Sequence, residues 1–248
     1  MGKKTKIAIC LLVVFLISSF VWFNFVFLNI NGKHFEEALN KAGAESDVII
    51  VFNSGGWGTV PFDKSFDFNP IINETKKIIE AHNYKVSVVQ YYRTEETFFA
   101  KVAALRDVLF NFPDSSKVFA GRIEEFTKAN PKDKVILAGL SNGAAFVDAS
   151  MSDIKNDKNV MAIELGAPFW EKNVKGDNIL ALKNQADILA NGELGHLIFT
   201  IVKTPFAWAY SNVVGKHISM TEAMHVEGHD YTWPQVKARL TEFIEARI

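Results

Sequence analysis

The sequence predicts an α/β protein, a three-layer sandwich with a mostly parallel sheet, preceded by one N-terminal transmembrane helix. Short continuous apolar runs alternate with longer segments of helical periodicity along most of the 248 residues. Continuous apolar runs are typical of strands buried on both faces, and strands that alternate with helices pair in parallel. Ahead of this pattern, the stretch from Ile7 to Ile30 contains no charged residue.

Residues 1–32 are expected to form a cytoplasmic tail and a membrane anchor. The uncharged stretch from Ile7 to Ile30 is longer than the roughly 20 residues that cross a bilayer. It also exceeds the apolar core of a cleaved signal peptide, and no convincing cleavage site follows, although removal as a signal peptide is the alternative. Lys3, Lys4 and Lys6 precede it. These lysines favour a cytoplasmic N-terminus, so the remaining chain is expected outside the cytoplasm.

Residues 33–248 are expected to form one domain, since they suffice for one sizeable core and are short for two. The net charge of −1 argues against a nucleic-acid partner. Cys10 is the single cysteine and precedes this domain. The domain therefore has no disulfide and no cysteine nucleophile, and nothing in its sequence calls for a cofactor.

Each element of the domain has a local signal. Asp47 to Phe52 is a continuous apolar run that predicts a buried strand, and the glycine-rich loop Asn53 to Gly58 follows it. Asn69 is predicted as a helix N-cap with Pro70 at the first helical position. The later elements are strands over Tyr84–Tyr92, Lys134–Ala138, Val160–Leu165, Asn178–Lys183 and His217–Met220, helices over Glu95–Phe110 and Ser115–Ala129, and a final helix opened by Thr232-Trp233-Pro234.

The most informative motif is Gly139-Leu140-Ser141-Asn142-Gly143, a Gly-x-Ser-x-Gly sequence between an apolar strand and a small-residue helix. The glycines allow a sharp turn that exposes the serine hydroxyl. The N–H groups of the following helix then face the place where an oxyanion would form. This context predicts a nucleophile elbow. A glycine-rich turn without chemistry is the alternative.

A serine nucleophile needs a base, and the base needs an orienting acid. The segment before the last helix offers His225 and His229, and either imidazole could accept a proton. Asp187 follows a predicted strand, although it could simply cap a short helix. The two histidines do not have the spacing of a zinc-binding His-Glu-x-x-His helix, so no metal is expected.

The elbow, Asp187 and the Gly-His-Asp-Tyr sequence around His229 together resemble the α/β-hydrolase superfamily, especially its lipase-like branch. The resemblance implies Ser141 as nucleophile, Asp187 as acid and His229 as base. It also implies an oxyanion hole built from the Asn142 N–H and an N–H of Gly55-Gly56-Trp57. Two departures are that the loop after the first strand lacks the usual His-Gly, and that no cap domain fits between Leu165 and Asn178.

The apolar stretch from His196 to Tyr210 is expected to line the acyl pocket, with Phe206 and Trp208 as its main side chains. An ordinary helix packed on the sheet is the alternative.

The resulting prediction is a membrane-anchored serine hydrolase that cleaves a small-molecule or lipid carboxylic ester, or a thioester, through an acyl-enzyme. Two other functions stay open at this point. One is a catalytically inactive hydrolase fold that serves as a binding module, and the other is an acyltransferase that uses the same triad.

Overall fold

The computed structural model describes residues 32–95, 97–187, 190–192, 210–211, 213–216 and 229–248. Within those ranges, no helix is both long and apolar enough to cross a bilayer. The predicted anchor from Ile7 to Ile30 lies outside them, as do Phe206, Trp208 and the predicted strand from His217 to Met220.

Five parallel strands form one sheet in the spatial order β2-β1-β3-β4-β5. The strands are β1 (Val48–Asn53), β2 (Val86–Gln90), β3 (Lys134–Leu140), β4 (Val160–Leu165) and β5 (Ile179–Leu182). All six residues of β1 and of β4 are buried. Both faces of these strands are therefore covered, as their continuous apolar sequences predict.

Helices cover both faces of the sheet. They are α1 (residues 32–45), α2 (Asn69–Ala81), α3 (Phe98–Leu109), α4 (Ser115–Ala129), α5 (Asn142–Ile154) and α6 (Trp233–Glu245), with a short 3₁₀ turn at Phe62–Lys64. Apolar residues of α1, α4 and α5 share one core with Ile49 and Val51 of β1. Residues of α2 and α6 share a second core with Val48, Ile50 and Phe52. The alternating side chains of β1 thus fill two cores, and the predicted three-layer arrangement is present.

Two local features differ from the sequence-based expectations. Asn69 is not the N-cap of α2, because Phe68 holds that position. The Asn69 side chain donates instead to the carbonyl of Phe62 at 2.9 Å. No element is predicted for residues 32–45, yet they form α1, whose Phe35, Leu39 and Ala42 are buried.

The strand order places a topological switch point between β1 and β3. From β1 the chain passes to β2 on one side, and β3 then pairs with β1 on the other side. In open parallel sheets, ligands bind beyond the carboxyl ends of the strands at such a point, because the two connections leave a crevice there. The loop after β1 and the Ser141 turn after β3 both lie at this crevice.

Candidate active site

Ser141 occupies the turn between β3 and α5 in a strained backbone conformation. Its φ is 54° and its ψ is −123°, a region that residues other than glycine rarely adopt. Its N–H donates to the carbonyl of Leu165 at 2.8 Å, and its carbonyl accepts the N–H of Ala145 at 3.0 Å. The turn is therefore held from β4 on one side and from α5 on the other, with a half-buried serine at its apex.

Neither glycine of the motif has room for a side chain. A Cβ on Gly139 would lie 2.4 Å from the Gly143 carbonyl oxygen, and one on Gly143 would lie 2.3 Å from the carbonyl oxygen of Asn53 and 2.7 Å from that of Ser54. These neighbours are backbone atoms and cannot rotate away. The glycines thus let α5 begin against the end of β1, which places the Ser141 turn beside the loop that follows β1.

Asp187 and His229 form a hydrogen-bonded pair. Asp187 follows β5 and is fully buried, and its Oδ2 lies 2.9 Å from Nδ1 of His229. Because an ionised carboxylate can only accept, the imidazole donates from Nδ1 and presents the Nε2 lone pair as a proton acceptor. This is the geometry that an orienting acid gives to a general base.

Tyr231 supports the same carboxylate. Its hydroxyl donates to Oδ2 of Asp187 at 2.9 Å and accepts the N–H of Asn184 at 2.9 Å. Its ring packs on Gly166, where an added Cβ would lie 2.5 Å from the ring edge. Burial alone would raise the pKa of Asp187, but the hydrogen bond and charge of His229, with the Tyr231 hydrogen bond, hold that pKa below its usual value. The acid therefore stays ionised beside the imidazole.

Asp187 also accepts the N–H of Ala190 through Oδ1 at 3.2 Å. This bond uses the carboxylate oxygen that does not contact His229, and the described residues 190–192 form a turn.

The β1 loop, Ser54–Gly58, lies against the elbow. A Cβ on Gly55 would be 3.3 Å from the Leu140 carbonyl oxygen and 3.5 Å from Cβ of Ser141. The Asn142 side chain donates to the Gly56 carbonyl at 3.3 Å. Backbone N–H groups of this loop and of Asn142 are thus close to Ser141, and the oxyanion hole of Asn142, Gly56 and Trp57 stays a prediction.

A second set of ionisable groups lies between α5 and β4. Carboxylate oxygens of Asp148, Glu164 and Glu171 are within 4.8 Å of one another. Lys183 Nζ lies 2.6 Å from Oε1 of Glu171, and the Val174 N–H donates to Asp148 at 2.6 Å. Burial raises the pKa of all three acids, well above the usual value for Glu164. Such a set could hold a cation, but a lysine and bound protons already offer the neutralising charge.

The structure brings together part of the predicted site. Ser141 and Asp187 follow parallel strands and so lie at the same edge of the sheet, where His229 contacts Asp187. Between these described side chains, no hydrogen bond links the Ser141 hydroxyl to His229. Phe206, Trp208 and His225 lie outside the part of the chain that the structure describes.

Two residues of this region are not predicted from the sequence. Tyr231 is part of the Gly-His-Asp-Tyr sequence, but that pattern assigns it no role, although its position two residues after His229 is an available signal. Arg93, described below, follows the carboxyl end of β2. A cation at that edge of a parallel sheet is the pattern that could have identified it.

The sequence matches no protein-family model and no curated protein. Among solved structures, the chain is similar to a Trichoderma reesei cutinase in complex with a phosphonate inhibitor, with 14% sequence identity and a TM-score of 0.49. The similarity covers 89% of this chain and 88% of the cutinase chain. A similarity of this degree does not identify chemistry, so the function below is argued from the site.

Proposed function

We propose that the protein is an α/β-hydrolase-type serine hydrolase that cleaves a carboxylic ester or thioester. The observation that carries this proposal is the His229–Asp187 pair at 2.9 Å, at the same sheet edge as a serine held at a strained turn. A strained serine by itself indicates only a tight turn. An imidazole–carboxylate pair by itself is a common structural contact. Their presence at one edge of the sheet supports a nucleophile and its base.

In the proposed reaction, Nε2 of His229 takes the Ser141 proton while Oγ attacks the ester carbonyl carbon. The oxyanion is bound by backbone N–H groups of Asn142 and the β1 loop, with Gly56 and Trp57 as the predicted residues of that loop. His229 returns the proton to the departing alkoxide or thiolate, which leaves an acyl group on Ser141. Water then attacks the acyl carbon and gives a proton to His229, which passes it to Oγ of Ser141 as the C–Oγ bond breaks. The carboxylic acid product leaves and the serine is regenerated. Asp187 stabilises the imidazolium in both halves and stays ionised throughout.

The test uses a fluorophosphonate probe and a panel of nitrophenyl esters. Wild-type protein should be labelled at Ser141 and turn over esters, and Ser141→Ala should lose both activities while remaining folded. Asp187→Asn should lower kcat by about 10⁴, because a neutral partner cannot stabilise the imidazolium. His229→Ala should lose a comparable factor and His225→Ala much less. A Ser141→Ala protein with wild-type turnover would contradict the mechanism.

The setting of the reaction is a separate proposal from the sequence. The uncharged stretch from Ile7 to Ile30, with lysines before it, supports a single-pass protein whose catalytic domain lies outside the cytoplasm. Protease added to the outside of intact cells or spheroplasts should then digest the domain. Recovery of a soluble form that begins beyond residue 20 would show cleavage instead.

A further inference from the structure

The β1 loop contains three glycines in five residues and therefore has little rigidity of its own. Within this fully described loop, one backbone hydrogen bond joins the Gly58 N–H to the Gly55 carbonyl at 3.1 Å. An oxyanion site must be organised before the reaction, because donors that reorient during catalysis lose much of their effect. The loop must consequently be held by residues outside it.

Arg93 is the residue that contacts the loop from outside. Its Nη2 donates to the carbonyl of Ser54 at 2.7 Å and to the carbonyl of Gly56 at 3.1 Å. Its backbone N–H donates to the Gly58 carbonyl at 3.2 Å. Gly58 has a φ of +75°, and a Cβ there would lie 2.7 Å from Nε of Arg93. One residue thus contacts the loop at three carbonyls and fits closely against its last glycine.

These contacts determine where the loop N–H groups face. The described peptides are all trans, so each planar peptide has its N–H and C=O on opposite sides. Fixing the carbonyls of Ser54 and Gly56 therefore fixes the N–H groups of Gly55 and Trp57, which face away from Arg93. Among the described residues, no hydrogen-bond acceptor is bound to either N–H, so both remain available to an anion.

Arg93 is itself fixed by aromatic rings. Its guanidinium carbon lies 5.6 Å from the ring centre of Phe112 and 5.8 Å from that of Phe146, which belongs to α5. Phe112 has a φ of 53°, an uncommon conformation that is held by its N–H donating to the Asp107 carbonyl at 2.6 Å. Burial lowers the pKa of Arg93 to about 10, so the group is still charged at neutral pH.

The same loop carbonyl connects Arg93 to the elbow. Gly56 accepts from Arg93 and also from the side chain of Asn142, the residue after the nucleophile. We propose that Arg93 is a positioning residue that holds the β1 loop N–H groups in place for the oxyanion of the reaction. This inference rests on the proposed hydrolase function. Arg93 acts through the loop and does not touch the substrate.

The first test compares Arg93→Lys with Arg122→Lys by hydrogen exchange. Arg122 is a matched control, because it is also a largely buried arginine. Its Nε pairs with Glu36 at 2.7 Å, a residue outside the β1 loop. A lysine offers a single point charge and cannot reproduce the fork of a guanidinium. The hydrogen-bonded amides of Gly58 and residue 93 should exchange at least about tenfold faster in Arg93→Lys, a loss of ~1.4 kcal/mol in the free energy of local opening. They should be unchanged in Arg122→Lys.

The second readout is kinetic. Arg93→Lys should lower kcat by about 10²-fold with little change in KM, in the range for loss of an oxyanion donor. Arg122→Lys should keep both parameters. Added guanidinium at non-denaturing concentration should restore turnover to Arg93→Ala by occupying the space between Phe112 and Phe146, and should restore none to Ser141→Ala.

The outcomes separate the two proposals. Wild-type loop exchange in Arg93→Lys, or faster exchange spread equally over the core helices, would overturn the positioning role. An unchanged kcat alongside a loosened loop would overturn it as well. If wild-type protein is neither labelled nor active, the hydrolase function fails, and with it the catalytic purpose of Arg93, even where the exchange data show that Arg93 holds the loop.

Discussion

Ser141 illustrates how a functional position can oppose stability at the scale of one residue. Its φ of 54° and ψ of −123° define a backbone conformation that costs of order 1–3 kcal/mol for a residue other than glycine. The conformation persists because Leu165 and Ala145 hold the backbone on both sides. The strained turn leaves the hydroxyl half-buried at its apex, where the proposed nucleophile would need to be.

This strain predicts an unusual order of stability. Ser141→Gly should be about 1–2 kcal/mol more stable to urea than Ser141→Ala, because glycine has no Cβ to strain. Ser152 is a control inside the helix that follows the turn, α5. There Ser152→Gly should be less stable than Ser152→Ala by about 0.8–1 kcal/mol, since alanine has the higher helix propensity. The same order at both positions would show that Ser141 is unstrained.

The sequence offers candidates whose proposed chemistry follows from motif and chain order, but it does not give distances between side chains that are far apart in the chain. Ser141 was identifiable from its glycine-flanked turn, and Asp187 from its place after a strand. The Tyr231 hydrogen bond to Asp187 and the Arg93 contacts with loop carbonyls depend on distances across the fold. Their positions in the sequence are signals only of proximity to the site, so the contacts themselves come from the structure.

At the scale of elements, the elbow is a close approach between two backbones. The start of α5 packs on the end of β1 so tightly that Gly143 has no room for a side chain. The strand and helix before and after the motif were predictable because their periodicities are strong. The predicted α4, Ser115–Ala129, and β4, Val160–Leu165, agree with the observed bounds. The predicted Asn69 cap is wrong because α2 already begins at Asn69, whose side chain donates to the Phe62 carbonyl of the preceding loop.

Two glycine substitutions test this close approach. Gly143→Ala should destabilise the protein by about 3 kcal/mol, because its Cβ would meet the Asn53 and Ser54 carbonyl oxygens and force β1 and α5 apart. Gly121→Ala in α4 is the control, since nothing lies within 4 Å of its added Cβ. It should gain about 0.8–1 kcal/mol from helix propensity. Urea unfolding of both variants would measure the difference. A Gly143→Ala variant that is stabilised as much as Gly121→Ala would show that the packing at the elbow is loose.

At the scale of the whole molecule, the fold itself was predictable because alternating strands and helices leave few topologies. The parallel pairing and three layers follow from that alternation. The strand order was not predictable, since nothing local tells β3 to pair with β1 on the side away from β2. That choice creates the crevice at which the elbow and the β1 loop meet, and the Asp187–His229 pair lies at the same edge of the sheet.

The acid cluster links three parts of this fold, and its charge should appear in the pH dependence of global stability. Glu164 of β4 is 2% exposed, faces Asp148 of α5 and Glu171 of the next loop, and has Lys183 as the nearby cation. Burial first, and then the charges of Asp148 and Glu171, raise the pKa of Glu164 well above its usual 4.5, while Lys183 opposes the shift. The folded protein therefore holds protons that the unfolded chain releases.

Stability from this cluster should be complete below pH 4.5 and should decline as the pH rises through the elevated pKa of Glu164, because the unfolded state then binds fewer protons. Asp187 has the opposite sign, since its lowered pKa contributes stability that is lost only as the pH falls through that value.

Glu164→Gln removes the titration of this side chain and keeps its shape. Its melting temperature should exceed that of wild type by a margin that grows from pH 5 to about pH 8. Glu242→Gln, on the exposed face of α6, should show no growing margin. A Glu164→Gln margin that is constant or shrinks over this range would mean that Glu164 is already ionised, with Lys183 as its sufficient partner.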